Sequence, residues 1–122
     1  LVPRLNATYV ANQEFTQVNN EANKAYLTLF AASWCPHCVN LKQSGVWDEI
    51  KNKYDGKTVN GYLIVVTEED CSNDKDPRVK KILDEYNVNG FPSIKLLKDN
   101  TIIDFDAKPT VESLDEFINT VL

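Results

Sequence analysis

Residues 30–43 read FAASWCPHCVNLKQ: an apolar run, then Cys35 and Cys38 with two residues between them, then the mixed apolar and polar spacing of a helix. If Cys35 stands at the start of that helix, Cys38 follows about one turn later on the same face, and the two sulfurs can close a small ring. Pro36 suits the first helical position, where its missing N–H would have had no partner and its fixed φ presets the turn. The partial positive charge and unpaired N–H groups of a helix start favour a thiolate on Cys35 over its thiol, which makes Cys35 the expected nucleophile. His37 lies between the cysteines, and a partly protonated imidazole there would favour the thiolate further. One residue from each neighbour on a helix, it cannot share a face with both sulfurs.

Two other uses of such a pair are weaker. A closed zinc site needs a second pair of ligands, and the chain offers only Cys71 and the badly placed His37, so no metal is expected. A static brace is equally poor, because a ring closed over one helical turn constrains little chain entropy. Cys71 is left over from an odd set of three, in the acidic segment TEEDCSNDKDP. That segment reads as a solvated loop carrying an unpaired or half-buried cysteine. It lacks the alternating oxygen ligands and glycine turn of a calcium site.

Outward from the pair, Tyr26 to Ala32 is apolar apart from Thr28, as in a strand buried on both faces of a parallel sheet. The stretch from Cys35 to about Tyr54 keeps helical spacing through Leu41, Val46, Trp47 and Ile50, with Ser44-Gly45 as a kink. Gly61 to Thr67 reads as a second buried strand. A helix begins at Asp76-Pro77 with Val79, Ile82, Leu83 and Tyr86 inward. Pro92 to Lys98 and Thr101 to Asp106 are strands joined by Asp99-Asn100, short enough for a hairpin. Thr110 caps a last helix over 111–121, whose inner stripe is Leu114, Phe117, Ile118 and Val121. Upstream, Thr8 to Ala11 reads as an edge strand and Gln13 to about Asn23 as a helix capped by Asn12. The order β-α-β-α-β-α-β-β-α is an α/β pattern: a central mixed sheet with helices on both faces.

The chain of 122 residues, 43% hydrophobic, is long enough for one domain with a real core. With 13 basic and 18 acidic residues its net charge is −5, which leaves no basic stripe for nucleic acid. The longest mostly apolar stretch, Tyr26 to Trp34, falls well short of the roughly 20 residues that cross a bilayer, so no membrane partner is expected for this sequence. The first four residues, LVPR, match a protease-site linker and are set apart from a single domain over 5–122. The one sequon, Asn6-Ala7-Thr8, would suit a secreted protein but is a short pattern that arises by chance.

LTLFAASWCPHC over 27–38 and YNVNGFPSIKLLKDN over 86–100 resemble the thioredoxin superfamily, particularly the catalytic domains of protein disulfide isomerases. FDAKPTVESLDEFI over 105–118 is similar to the corresponding isomerase segment. The resemblance implies a thioredoxin fold, a five-stranded mixed sheet flanked by four helices. It implies thiol-disulfide exchange, with Cys35 attacking, Cys38 resolving and Trp34 flanking the site. It also implies a cis-proline at Pro92, with the backbone at Phe91 binding an extended substrate segment. No cofactor is implied. The partners implied are proteins bearing a disulfide or dithiol and a second protein that recharges the pair. The domain is expected to act as a monomer, with the endoplasmic reticulum or another secretory compartment favoured over the cytoplasm.

The chain departs from the family pattern twice. Pro36-His37 differs from the Gly-Pro of thioredoxins and the Gly-His of isomerases and is similar to bacterial periplasmic oxidases, which leaves the direction of electron flow open. Leu29 stands where the family carries a buried acid that takes the proton of the resolving cysteine. A leucine cannot accept a proton, so Cys38 is expected to rely on water or another group. The same leucine keeps a different class of function in view, a polypeptide-binding module whose redox pair is slow or vestigial.

Overall fold

The computed structural model describes residues 23–122. Their order is β1 (Lys24–Ala31), α1 (Pro36–Gln43), α2 (Val46–Tyr54), β2 (Thr58–Val59), β3 (Tyr62–Asp70), α3 (Pro77–Glu85), β4 (Ser93–Lys98), β5 (Thr101–Asp104) and α4 (Val111–Val121). The strands form one sheet in the order β2-β3-β1-β4-β5. β1 pairs with β3 in parallel and with β4 antiparallel, so the sheet is mixed, as expected.

β1 is central because both its faces are apolar. Ala25, Leu27, Leu29 and Ala31 point into the larger core with Ile50 of α2 and Leu114 and Ile118 of α4. Phe30 points the other way, into a smaller core with Val79 of α3, Tyr86 and Cys71. Thr28, the one polar residue within the run, is also buried, and its hydroxyl is satisfied by that of Thr67 at 2.8 Å.

Several boundaries follow from local chemistry. Asp76 caps α3 through Arg78 N–H, with Pro77 in the first turn. Thr110 and Ser113 cap α4 reciprocally. Asp99 and Asn100 both take positive φ, as a two-residue hairpin between twisted strands requires.

Two expectations are corrected, and one strand was not anticipated. The span from Cys35 to Tyr54 is two helices: Gly45, at φ +83°, takes the left-handed conformation that a continuing helix cannot contain. The unanticipated strand is the short β2, for which the sequence carries no run of strand formers. β3 extends to Asp70, so Glu68, Glu69 and Asp70 are strand residues rather than loop. Cys71, just beyond, is buried and donates its N–H to Ala31 O at 2.7 Å. The expected strand at Thr8–Ala11 and the helix from Gln13 lie outside the described residues, apart from Asn23, which precedes β1.

Candidate active site

β1 ends at Ala31, and a tight turn through Ser33 and Trp34 delivers the chain to α1. Cys35 is the N-cap residue of α1, with extended backbone (φ −95°, ψ 114°), and Pro36 follows in the first turn. Its Sγ stands where a capping oxygen normally would and accepts the N–H of Cys38 at 3.3 Å. That N–H is one of the donors a helix start leaves unpaired, so the fold aims a backbone dipole at the sulfur. All three cysteines are free thiols. Cys35 is 6% exposed and Cys38 1%, so the first sulfur lies at the surface of the core and the second beneath it.

The Phe91–Pro92 segment, 56 residues away in sequence, closes over Cys35. The bond between them is cis, and Cys35 Sγ donates to Phe91 O at 3.5 Å. The rings of Phe91 and Trp34 meet edge to face, with centroids 5.8 Å apart. Trp34 remains 59% exposed, and its indole N–H is tied to Ser72 O.

Burial pushes the Cys38 thiol up to about 11; its hydrogen bond with the Cys35 side chain adds to this, and the positive charge of Lys42 opposes it. Burial likewise pushes Cys71 up to about 11, with Glu69 and Asp70 adding to it.

Two cavities flank the dithiol. One, of about 340 Å³, is lined by Cys38, Val39, Lys42, Glu68 and Asp70 among others. The other, of about 500 Å³, lies by Pro92 and is lined by His37, Leu41, Val46 and Lys108. The structure thus brings Trp34, Cys35, Pro36, Cys38, Phe91 and Pro92 together. His37 is exposed on α1 beside the second cavity, and no hydrogen bond or ion pair among the described residues engages it.

Sequence patterns miss two parts of this site. Ser72 organises the turn before the cysteines: its hydroxyl accepts Ser33 N–H at 2.8 Å and donates to Asp70, while its carbonyl holds Trp34. Glu68 pairs with Lys42 at 2.6 Å on the rim of the smaller cavity. Neither had a local signal beyond membership of an acidic, polar run.

The mixed sheet and the dithiol on a helix cap define a thioredoxin-fold domain with a Cys-x-x-Cys site. The family model described as Thioredoxin matches residues 6–120, and the chain belongs to that family. Curated relatives include protein disulfide-isomerase 1 of Caenorhabditis elegans, 29% identical over 107 residues, covering 86% of this chain and 19% of that protein. Protein disulfide-isomerase TMX3 of Xenopus laevis is 31% identical over 102 residues, covering 84% of this chain and 20% of that protein. The chain therefore spans about a fifth of the length of these relatives. Among solved structures, the first thioredoxin domain of mouse protein disulfide-isomerase A4 superposes with a TM-score of 0.62 at 21% identity, over 90% of this chain and 71% of that one. A malarial protein superposes with a TM-score of 0.61 at 25% identity, over 82% and 99%. The expected fold and the homology to protein disulfide isomerases are thus both found.

Proposed function

We propose that the domain is a thiol-disulfide oxidoreductase acting on protein substrates. The observation that carries the reading is the placement of Cys35 Sγ at the cap of α1, accepting the Cys38 N–H beside the Phe91 carbonyl. In the reducing direction, Cys35 thiolate attacks one sulfur of a substrate disulfide and expels the other as a thiolate, leaving a mixed disulfide. Cys38 then attacks Cys35 Sγ, the Cys35–substrate bond breaks, and the substrate leaves with two more electrons while the pair becomes a disulfide. The reverse sequence oxidises a substrate dithiol.

Pro36 starts the helix at the reacting sulfur, and Trp34, Phe91 and Pro92 form the surface on which an extended substrate segment lies. His37 is assigned an electrostatic part only, from an exposed position beside that surface. A dithiol or disulfide protein recharges the pair, and the domain works as a monomer. The similarity to protein disulfide-isomerases supports a secretory, oxidising compartment such as the endoplasmic reticulum.

Insulin reduction and refolding of a reduced disulfide protein test the reading directly. Cys35→Ser should abolish both activities; full activity in that variant would sink the mechanism. The reduction potential decides direction, since reference values of about −270 mV for a reductant and about −120 mV for an oxidant differ by roughly 7 kcal/mol.

A further inference from the structure

Resolution of the mixed disulfide requires Cys38 to lose its proton, and Cys38 is buried with its thiol pushed up to about 11. Burial, the largest cause of that rise, persists when Cys35 is bonded to substrate, so the Cys38 thiolate stays scarce at pH 7 without an acceptor. Leu29, fully buried on β1, offers no acceptor.

The neighbouring strand does. In the parallel pairing of β1 with β3, Leu29 stands directly opposite Glu68. Ile64 and Val66, four and two residues before Glu68, lie in the same core as Leu29 and Cys38, so the alternation of β3 turns Glu68 to the Cys38 side of the sheet. Glu68 and Cys38 line the same cavity of about 340 Å³, which has room for water between them. Lys42 Nζ of α1 holds Glu68 Oε2 at 2.6 Å, and no hydrogen bond among the described residues engages Oε1. Asp70, the other carboxylate of this cavity, stands opposite Ala31 instead of Leu29 and takes the N–H and the hydroxyl of Ser72 on Oδ1; those bonds hold its carboxyl below its usual range and make it the poorer proton acceptor.

We propose that Glu68 is the proton acceptor for Cys38, an acid displaced by one strand from β1 to β3, with Lys42 as its positioning residue. The inference rests on the reading of the cysteines as a working redox pair. The Cys38 S–H proton passes through cavity water to the Glu68 carboxylate. The sulfur's electron pair forms the bond to Cys35 Sγ, the Cys35–substrate bond breaks, and the substrate departs as a thiolate. Protonated Glu68 then releases its proton to that thiolate or to solvent.

The groups facing Cys38 make the test two-sided. They are Cys35 and Lys42 from α1 and its cap, Glu68 and Asp70 from β3, and Cys71 from the segment after β3. As a mere bystander, the negative charge of Glu68 would oppose the thiolate, so its removal would speed resolution. As the acceptor, its removal slows it.

The experiment is single-turnover stopped flow with a fluorophore-labelled peptide disulfide, which separates bimolecular attack from unimolecular resolution. Wild type, Glu68→Gln and Glu68→Asp are compared from pH 6 to 9, each checked for folding by thermal melt. Glu68→Gln should slow resolution at pH 7 at least tenfold, with a rate that climbs steeply with pH and is restored by millimolar imidazole. Glu68→Asp should fall between the two. Resolution in both variants at or above the wild-type rate would overturn the proposal. Failure of wild type to form any mixed disulfide would instead overturn the oxidoreductase reading.

Discussion

The indole N–H of Trp34 donates to the carbonyl oxygen of Ser72 at 2.9 Å, fastening the residue before the first cysteine to the segment that follows β3. The same serine's hydroxyl accepts Ser33 N–H and donates to Asp70. Ser72→Ala leaves the backbone tie to Trp34 and removes the other two. It should cost about 1 kcal/mol at pH 7, read from urea unfolding. The hydrogen bonds from Ser72 hold the Asp70 carboxyl below its usual range. A lowered folded pKa adds stability above the unfolded value of about 3.8 and loses it as pH falls through the folded one. The gap between wild type and Ser72→Ala should therefore narrow when the unfolding is repeated at pH 3.

Cys38 and Cys71 are buried thiols raised from 9.0 to about 11. Below pH 9 they are protonated folded and unfolded alike and contribute no pH dependence. Between pH 9 and 11 the unfolded chain releases those protons and the folded one keeps them, so the reduced domain should lose stability as pH rises, by up to about 3 kcal/mol per thiol. Cys71→Val should flatten the slope of unfolding free energy over this window. An unchanged slope would contradict the assignment. In the native protein at pH 8, Cys71 should resist iodoacetamide and become labelled only in denaturant.

Leu29→Glu should place an uncompensated carboxylate in the core, opposite Glu68 and its like charge. The expected loss of stability is roughly 2–4 kcal/mol by denaturant titration. In the Glu68→Gln background the same substitution should recover most of the lost resolution rate. The acid would then stand on β1 instead of β3, facing the same side of the sheet.

Gly45 separates α1 from α2 at φ +83°, and a Cβ added there would meet no atom within 4 Å. The cost of Gly45→Ala should therefore be conformational alone, about 1–2 kcal/mol, with insulin reduction at the wild-type rate. A much larger loss of stability would mean that the two helices depend on each other's exact crossing.

What was legible in the sequence was local. α4 runs from Val111 to Val121 behind Thr110, as expected, because a cap and a stripe of inward residues are written within a few positions of one another. The Asp99-Asn100 hairpin and the Asp76-Pro77 helix start are of the same kind. So is the core of the site, since Cys35, Pro36 and Cys38 shape one helix turn among themselves. The Ser44-Gly45 break was half legible: the glycine marked a disturbance, but only its left-handed φ turned a kink into two helices.

The sequence by itself determined a dithiol at a helix start within an alternating α/β order, because those features depend on neighbours one to four residues away. Tertiary structure alone decided what surrounds that dithiol. β3 could not be seen to run on to Asp70, because charged residues at a strand's end look like loop until parallel pairing with β1 supplies their hydrogen bonds. That pairing set Glu68 opposite Leu29, and the cavity joined Glu68 to Cys38, whereas the approach of Phe91 to Cys35 across 56 residues was expected through the family resemblance and not from any local pattern. Register and layer packing are properties of the whole sheet. For that reason the partner of the first cysteine was written beside it, while the surroundings of the second had to wait for the fold.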